Sequence, residues 1–285
     1  MAAPLLLSFG HGYSAAAFAA SLPSGWTVLG TTRSREKAEA FAQTGVTPVD
    51  WNDTASVADA IGRASHILVS VPPDADGDPV LRQFGEELAA AQNLEWVGYL
   101  STTGVYGDRG GDWVDEESAL EPVNTRSRHR VAAERAWLGT GLPVHTFRLA
   151  GIYGPGRSAL DRVRTGRAQR IIKPGQVFSR IHVEDIAQGL AASVARPDPR
   201  RAYNLADDLP APPQDVIAYA AGLLEMPVPP DVPFESAALS PMARSFFAES
   251  KRVSNQRLKT ELRVTLRYPD YRSGLRAIHS TARQE

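Results

Sequence analysis

Hydrophobic residues fall into short apolar runs set between stretches of helical spacing. Leu5 to Phe9, Thr27 to Thr32, Val46 to Val49, His66 to Val71, Trp96 to Ser101 and Val144 to Leu149 read as buried strands. Ala16 to Leu22, Ser34 to Ala42, Ala55 to Ile61, Pro79 to Ala91 and Asn124 to Leu138 read as the helices between them, with Pro79 suited to a first helical turn. Strand and helix alternating at this spacing predict βαβ units with right-handed crossovers, hence a Rossmann-type, doubly wound parallel sheet of the α/β class. Beyond Leu149 the pattern weakens. Ser158 to Arg164 and Glu184 to Val194 read as helices, Val177 to His182 as extended and Ala202 to Leu205 as a strand. The proline-rich remainder reads as short elements of a smaller C-terminal, substrate-side lobe.

Ligands of such sheets bind at the carboxyl ends of the strands, which sets Gly10, Arg33, Pro72 and Thr102 on one rim. The first strand breaks into Gly10-His11-Gly12-Tyr13-Ser14-Ala15. In this spacing the first glycine permits the turn, the second lets backbone approach a pyrophosphate, and Ala15 lets helix pack closely on strand. The phosphates would sit on the helix N-terminus. A plain strand-to-helix turn fits the same residues, so context decides. About twenty residues on, where an acidic residue would accept from a ribose 2′-hydroxyl, the chain has Arg33-Ser34-Arg35 and then Lys37. These are donors suited to a 2′-phosphate, which favours NADP, with NAD as the alternative. A solvated helix start is the competing explanation. Asp50-Trp51 follows the third strand, where Asp50 either accepts from an adenine amino group or makes an Asx turn before Asn52. Val71, Pro72, Pro73 and Ser101, at the ends of the fourth and fifth strands, complete the candidate cofactor-contacting set.

Composition narrows the classes. A formal net charge of -1 argues against nucleic-acid binding by bulk electrostatics. The absence of cysteine excludes disulfides, thiolate metal sites and a cysteine nucleophile, and suits a cytoplasmic location. The histidines and carboxylates show no metal-ligand spacing, so no metal is expected, and there is no G-x-S-x-G elbow. The apolar start lacks a basic leader, and no run reaches the roughly eighteen residues of a membrane helix, so no membrane partner is expected. Asp108 to Ser118 is a long polar, glycine-bearing loop of the kind often used as a lid or binding loop, with disorder as the alternative.

The chain resembles the extended short-chain dehydrogenase/reductases that include nucleotide-sugar epimerases and dehydratases. The resemblance is carried in order by Gly10-His-Gly12, Asp50-Trp51, Ser101-Thr-Thr-Gly-Val-Tyr-Gly107, Arg130-Val-Ala-Ala-Glu134, Arg148-Leu-Ala-Gly-Ile-Tyr-Gly-Pro-Gly156, Ile181-His-Val-Glu-Asp185 and Tyr203-Asn-Leu205. It implies a dinucleotide-binding domain over residues 1–155 to which 180–206 return, and a smaller lobe of 156–179 and 207–285. It also implies a homodimer through the helices near 79–91 and 124–138. The family's catalytic Ser or Thr falls on Thr102. Its Tyr and Lys, four residues apart, fall on Arg126 and Arg130, as in atypical subgroups that have lost the usual site.

A guanidinium stays protonated, so Arg126 cannot do the tyrosine's work, whereas Arg130 could still supply positive charge. Four residues apart on a helix, the two arginines share a face. That face either captures an anionic substrate group or is a solvated basic surface with Arg130 paired to Glu134. Tyr106 and Tyr153 are the nearest spare phenols, with ring packing the simpler use for each, and His182 reads as structural ahead of a helix start at Glu184-Asp185. The leading expectation is an NADP-dependent reductase or epimerase/dehydratase-like enzyme acting on a small polar or anionic substrate. A non-catalytic NADP(H) sensor or scaffold is the alternative, and a vestigial site that binds no dinucleotide is a third.

Overall fold

The structure, a computed structural model, describes residues 3–283. The first half runs β1 (Leu5–Phe9), α1 (Tyr13–Ser21), β2 (Thr27–Thr32), α2 (Arg35–Gln43), β3 (Thr47–Asp50), α3 (Thr54–Arg63), β4 (His66–Val69), α4 (Pro79–Ala90), β5 (Trp96–Thr102), β6 (Trp113–Val114) and α5 (Thr125–Leu138). The second half runs β7 (Val144–Leu149), β8 (Gly151–Tyr153), α6 (Ala159–Arg164), β9 (Arg170–Ile172), β10 (Arg180–His182), α7 (Val183–Ala195), β11 (Ala202–Leu205), α8 (Pro213–Leu223), β12 (Asp231–Pro233), α9 (Pro241–Phe246), β13 (Arg252–Val253), α10 (Gln256–Thr260) and α11 (Tyr271–Thr281).

Seven strands form one sheet in the order β11-β7-β5-β4-β1-β2-β3, the expected Rossmann-type α/β architecture. β1 pairs in parallel with β2 on one side and β4 on the other, so the strand order reverses there and the switch-point crevice opens beyond β1 and β4. β1 and β4 are buried at every position, as a parallel sheet covered on both faces requires.

The chain packs as two compact units, each built from three segments. The first comprises Met1–Thr102, Thr125–Arg148 and Ile186–Tyr203. In its core, Leu5, Leu7, Phe9, Ile67, Val69 and Val97 of the strands meet Val57 and Ile61 of α3, Val80, Phe84 and Leu88 of α4, and Trp137 of α5. Side chains set the helix starts: Ser34, Asp53 and Asp78 cap α2, α3 and α4 by accepting from backbone N–H groups at 3.3, 3.1 and 2.9 Å.

The second unit comprises Thr103–Asn124, Leu149–Asp185 and Asn204–Glu285. Where only short, proline-broken elements are expected, it contains two 11-residue helices, α8 and α11, beside the short α9 and α10. Pro213 stands in the first turn of α8, where proline starts a helix rather than breaking it. α11 begins at a reciprocal Asp270–Ser273 capping box and buries Tyr271, Leu275 and Ile278. Residues 107–124 are anchored within this unit. β6 pairs in parallel with β13, and the Asp108 and Glu116 carboxylates accept from the backbone N–H groups of Ser250 and Asn204, each at 2.7 Å. β4 stops at Val69, two residues before the expected Val71. The Ser70 hydroxyl instead turns onto the carbonyls of Phe9, at 3.2 Å, and Gly10.

Candidate functional site

The glycine turn after β1 is built by its neighbours. Gly10 has φ +74°, and an added Cβ would lie 2.9 Å from Val71 Cγ2, so the position needs glycine for both conformation and space. Its N–H donates to Thr31 Oγ1 at 3.0 Å, and its carbonyl accepts from Ser70 Oγ and from the Gly12 N–H at 2.7 Å. Thr31 and Ser70 are thus the clamps of the turn. Sequence reading missed them because they stand 21 and 60 residues from Gly10, with no local signal.

Gly12 caps α1 without a side-chain partner, and no acidic residue occupies the first turn. The first helical bond runs from Ala16 N–H to Gly12 O at 2.8 Å, so the first-turn N–H groups, including those of Ser14 and Ala15, precede any intrahelical acceptor. A Cβ at Gly12 would meet only Gly10 O, at 3.8 Å. The protein therefore leaves open the space over the helix N-terminus that a Cβ would occupy. Ala15 is buried on α1 together with Ser14 and Phe18.

His11, between the glycines, is 7% exposed, with its ring edge-on to Phe41 at 4.8 Å. Its Cβ lies 3.0 Å from where a Cβ of Gly30 would stand, so the bare backbone of β2 makes room for the imidazole. Burial alone pushes the pKa of this ring down, and its Nδ1 is buried with no hydrogen-bond partner.

At the end of β2, Arg33 is exposed and makes no hydrogen bond or ion pair among the described residues. Ser34 caps α2 by accepting from Lys37 N–H at 3.3 Å, which leaves its hydroxyl proton free to donate. Arg35 is engaged with Glu39 at 3.2 Å. The turn after β3 is less available to a ligand. Asp50 accepts from the backbone and side-chain amides of Asn52 at 2.9 and 3.2 Å, an Asx turn, and Trp51 packs edge-on against Phe9 and Phe84. Val71 and Pro73 are half-buried beyond β4, and Pro72 is exposed.

On β5 the Ser101 hydroxyl points inward and donates to Glu134 Oε1. Glu134 in turn holds Arg148, whose Nη2 lies 2.9 Å from Oε2 and whose Nε lies 3.3 Å from both oxygens. The three are 5%, 2% and 6% exposed. Glu134 is therefore not paired with Arg130 along α5, as the solvated-surface alternative had it. Arg130 reaches β5 instead, where its Nη1 donates to Leu100 O at 2.8 Å and Tyr99 OH at 3.1 Å. The burial of Tyr99 pushes its phenol pKa up, so it stays neutral. Asp78 lies in the same neighbourhood, its pKa raised by burial against the opposing effects of Trp137, the Leu81 and Val80 N–H groups and, least, the Arg130 charge. Thr102 is half-buried at the end of β5, and Arg126 is exposed one turn before Arg130.

The two spare phenols lie in the second unit and donate internally, Tyr106 to Asn204 Oδ1 at 2.7 Å and Tyr153 to Asp270 O at 3.3 Å. His182 Nδ1 accepts from Glu184 N–H at 3.2 Å at the start of α7, and burial pushes its pKa down to about 4. No helix of the described residues is long and apolar enough to cross a membrane.

No protein-family model and no curated protein matches the chain. Among solved structures, a functionally unknown conserved protein from Silicibacter pomeroyi is 54% identical with a TM-score of 0.92, over 98% of this chain and 99% of that one. A protein described as an NAD-dependent epimerase/dehydratase from Methylobacillus flagellatus matches at 24% identity and TM-score 0.75, over 99% of this chain and all of that one. A dTDP-glucose 4,6-dehydratase from Bacillus anthracis, solved with NAD, matches at 15% identity and TM-score 0.78, over 99% and 97% of the two chains. The chain therefore belongs to one family with the Silicibacter pomeroyi protein, and it shares the fold of the epimerase/dehydratase structures.

Proposed function

We propose that the first unit binds NADP and that the protein is a reductase or epimerase/dehydratase-like enzyme acting on a small polar or anionic substrate. The observation that carries this reading is the clamped Gly10–Gly12 turn opening onto an uncapped helix N-terminus, with Arg33 uncommitted at the end of β2. Free N–H groups, the helix dipole and a bare Gly12 suit a pyrophosphate, and a guanidinium without a partner suits a 2′-phosphate. NAD bound to the Bacillus anthracis dehydratase supports a nicotinamide dinucleotide on this fold. When bound, such a cofactor supplies a hydride donor or acceptor.

On this reading the main-chain N–H groups of Ser14 and Ala15 face the phosphates, and Arg33 and Ser34 select NADP. Thr102 hydrogen-bonds the reacting oxygen and Arg126 holds an anionic group of the substrate. Arg130, bonded to Tyr99 and Leu100 O, contributes charge from a fixed place behind them. With purified protein and NADPH, consumption of the nucleotide in a screen of small carbonyl acids and nucleotide sugars tests the assignment. Loss of turnover in Thr102→Ala and Arg126→Ala supports it, and unchanged turnover in both refutes it.

A second reading has a specific observation in its favour. Arg126 cannot exchange a proton, and the phenols of Tyr106 and Tyr153 are committed to internal acceptors, so a dinucleotide sensor or scaffold that binds without turnover accounts for the same site. Tight NADPH binding with no oxidation by any substrate in the screen favours that reading.

A further inference from the structure

The residue between the two glycines carries chemistry that the cofactor reading does not use. His11 belongs to the phosphate-facing turn by its backbone, but its ring leans to one side, over Gly30 of β2 and against Phe41 of α2. That is the side on which β2 runs into Arg33 and Ser34. The imidazole is more than nine-tenths buried, and its Nδ1 has neither solvent nor a protein partner. An orphaned ring nitrogen within a turn is unfinished hydrogen bonding, because buried polar atoms are normally paired.

Among the described residues no carboxylate balances it. β2 presents no charged side chain, and Arg33 beyond its end is exposed. On α2, Arg35 and Glu39 pair with each other on the outer surface, and Glu36 and Lys37 are exposed. The ring is therefore neutral in the free protein, with burial as the only cause of its lowered pKa. Arrival of a phosphate dianion nearby reverses the balance, since an opposite charge in a poorly solvated place favours the protonated imidazole.

We propose that His11 is a proton-linked contact for the 2′-phosphate of NADP, neutral in the free protein and protonated when the nucleotide binds. The inference rests on the NADP reading above. It makes His11 a selectivity residue alongside Arg33 and makes affinity for NADPH, but not NADH, depend on pH.

The balance is one proton taken from solvent onto the imidazole for each nucleotide bound, reduced by the fraction already protonated. The phosphate monoester itself titrates near pH 6 and contributes its own proton exchange, so the comparison is between proteins rather than within one titration. His11→Phe keeps a ring against Gly30 and Phe41 and cannot titrate. His11→Gln keeps a polar side chain and is the second variant in case the first melts early.

The test is calorimetric titration of the intact protein with NADPH and with NADH at pH 7, in two buffers of different ionisation enthalpy, repeated from pH 6 to 7.5. The expected result is a measurable excess of protons taken up per NADPH by the wild type over either variant. NADPH affinity of the wild type then rises on acidification by up to tenfold per pH unit relative to the variants, with no such excess for NADH. Equal uptake in wild type and variants, or equal excess with NADPH and NADH, overturns the proposal alone. Failure of both nucleotides to bind overturns the dinucleotide reading and this proposal together.

Discussion

Gly12→Ala separates ligand binding from folding. Gly12 has φ -100° and ψ -163°, which any L-residue adopts, and its new Cβ would meet only Gly10 O at 3.8 Å, an ordinary contact. Two small effects oppose each other. Alanine restricts the unfolded chain and so stabilises by roughly 0.4–1 kcal/mol. It also fits an N-cap worse than glycine, by a cost of similar size. The apo protein should therefore melt within a few degrees of the wild type. The methyl group nevertheless occupies the space over the α1 N-terminus through which a pyrophosphate would approach, and affinity for NADPH should fall by tenfold or more. The control is Gly10→Ala. There the φ of +74° costs about 1–2 kcal/mol. The 2.9 Å approach to Val71 Cγ2 costs a further 1–3 kcal/mol, roughly, from overpacking. A loss of several kcal/mol lowers the melting temperature by roughly 2–4 °C for each kcal/mol in a chain of this size. Scanning calorimetry of both variants, followed by NADPH titration of the folded one, decides the matter. Wild-type affinity in a normally melting Gly12→Ala protein would refute the placing of the phosphates.

Other outcomes follow from the same structure. Glu134→Ala leaves the Arg148 guanidinium buried without its carboxylate and should cost about 3–5 kcal/mol, read by denaturant unfolding; a loss under 1 kcal/mol would contradict the buried Ser101–Glu134–Arg148 network. His182 has a folded pKa of about 4 against an ordinary 6.5, so the neutral ring favours the native state. That contribution is present above pH 6.5 and is lost as pH falls towards 4, by an amount on the order of 3 kcal/mol. Burial raises the pKa values of Asp78, Asp185 and Asp207 and acts in the opposite sense, so the check is a flatter acid limb in His182→Asn than in wild type. Tyr106→Phe removes one neutral hydrogen bond to Asn204 and should cost about 1 kcal/mol without altering NADPH affinity.

The sheet was legible because its strands are buried on both faces and read as unbroken apolar runs, β1 and β4 above all. The glycine turn was legible because only glycine satisfies the backbone at Gly10. What could not be read was partner choice. Glu134 stands four residues from Arg130 and invites a pair along the helix. The partner is instead Arg148, fourteen residues on in β7, where burial of both groups makes the bidentate geometry worth more than an exposed pair on one helix. Trp51 and Ser101 lie at the ligand rim in sequence order, but one side chain packs on Phe9 and Phe84 and the other hydrogen-bonds to Glu134. In the C-terminal part, Pro212 and Pro213 read as breakers but cap and open α8, because the first turn of a helix needs no N–H from them.

The central claim is that the first unit binds NADP through the glycine turn and Arg33. Calorimetric titration of the wild type and Arg33→Ala with NADPH and NADH tests it most directly. A charge-assisted contact to phosphate contributes about 1.5–3 kcal/mol, so the variant should lose roughly ten- to a hundredfold in NADPH affinity while its NADH affinity stays the same. Equal losses for the two nucleotides, or no binding of either by the wild type, would contradict it.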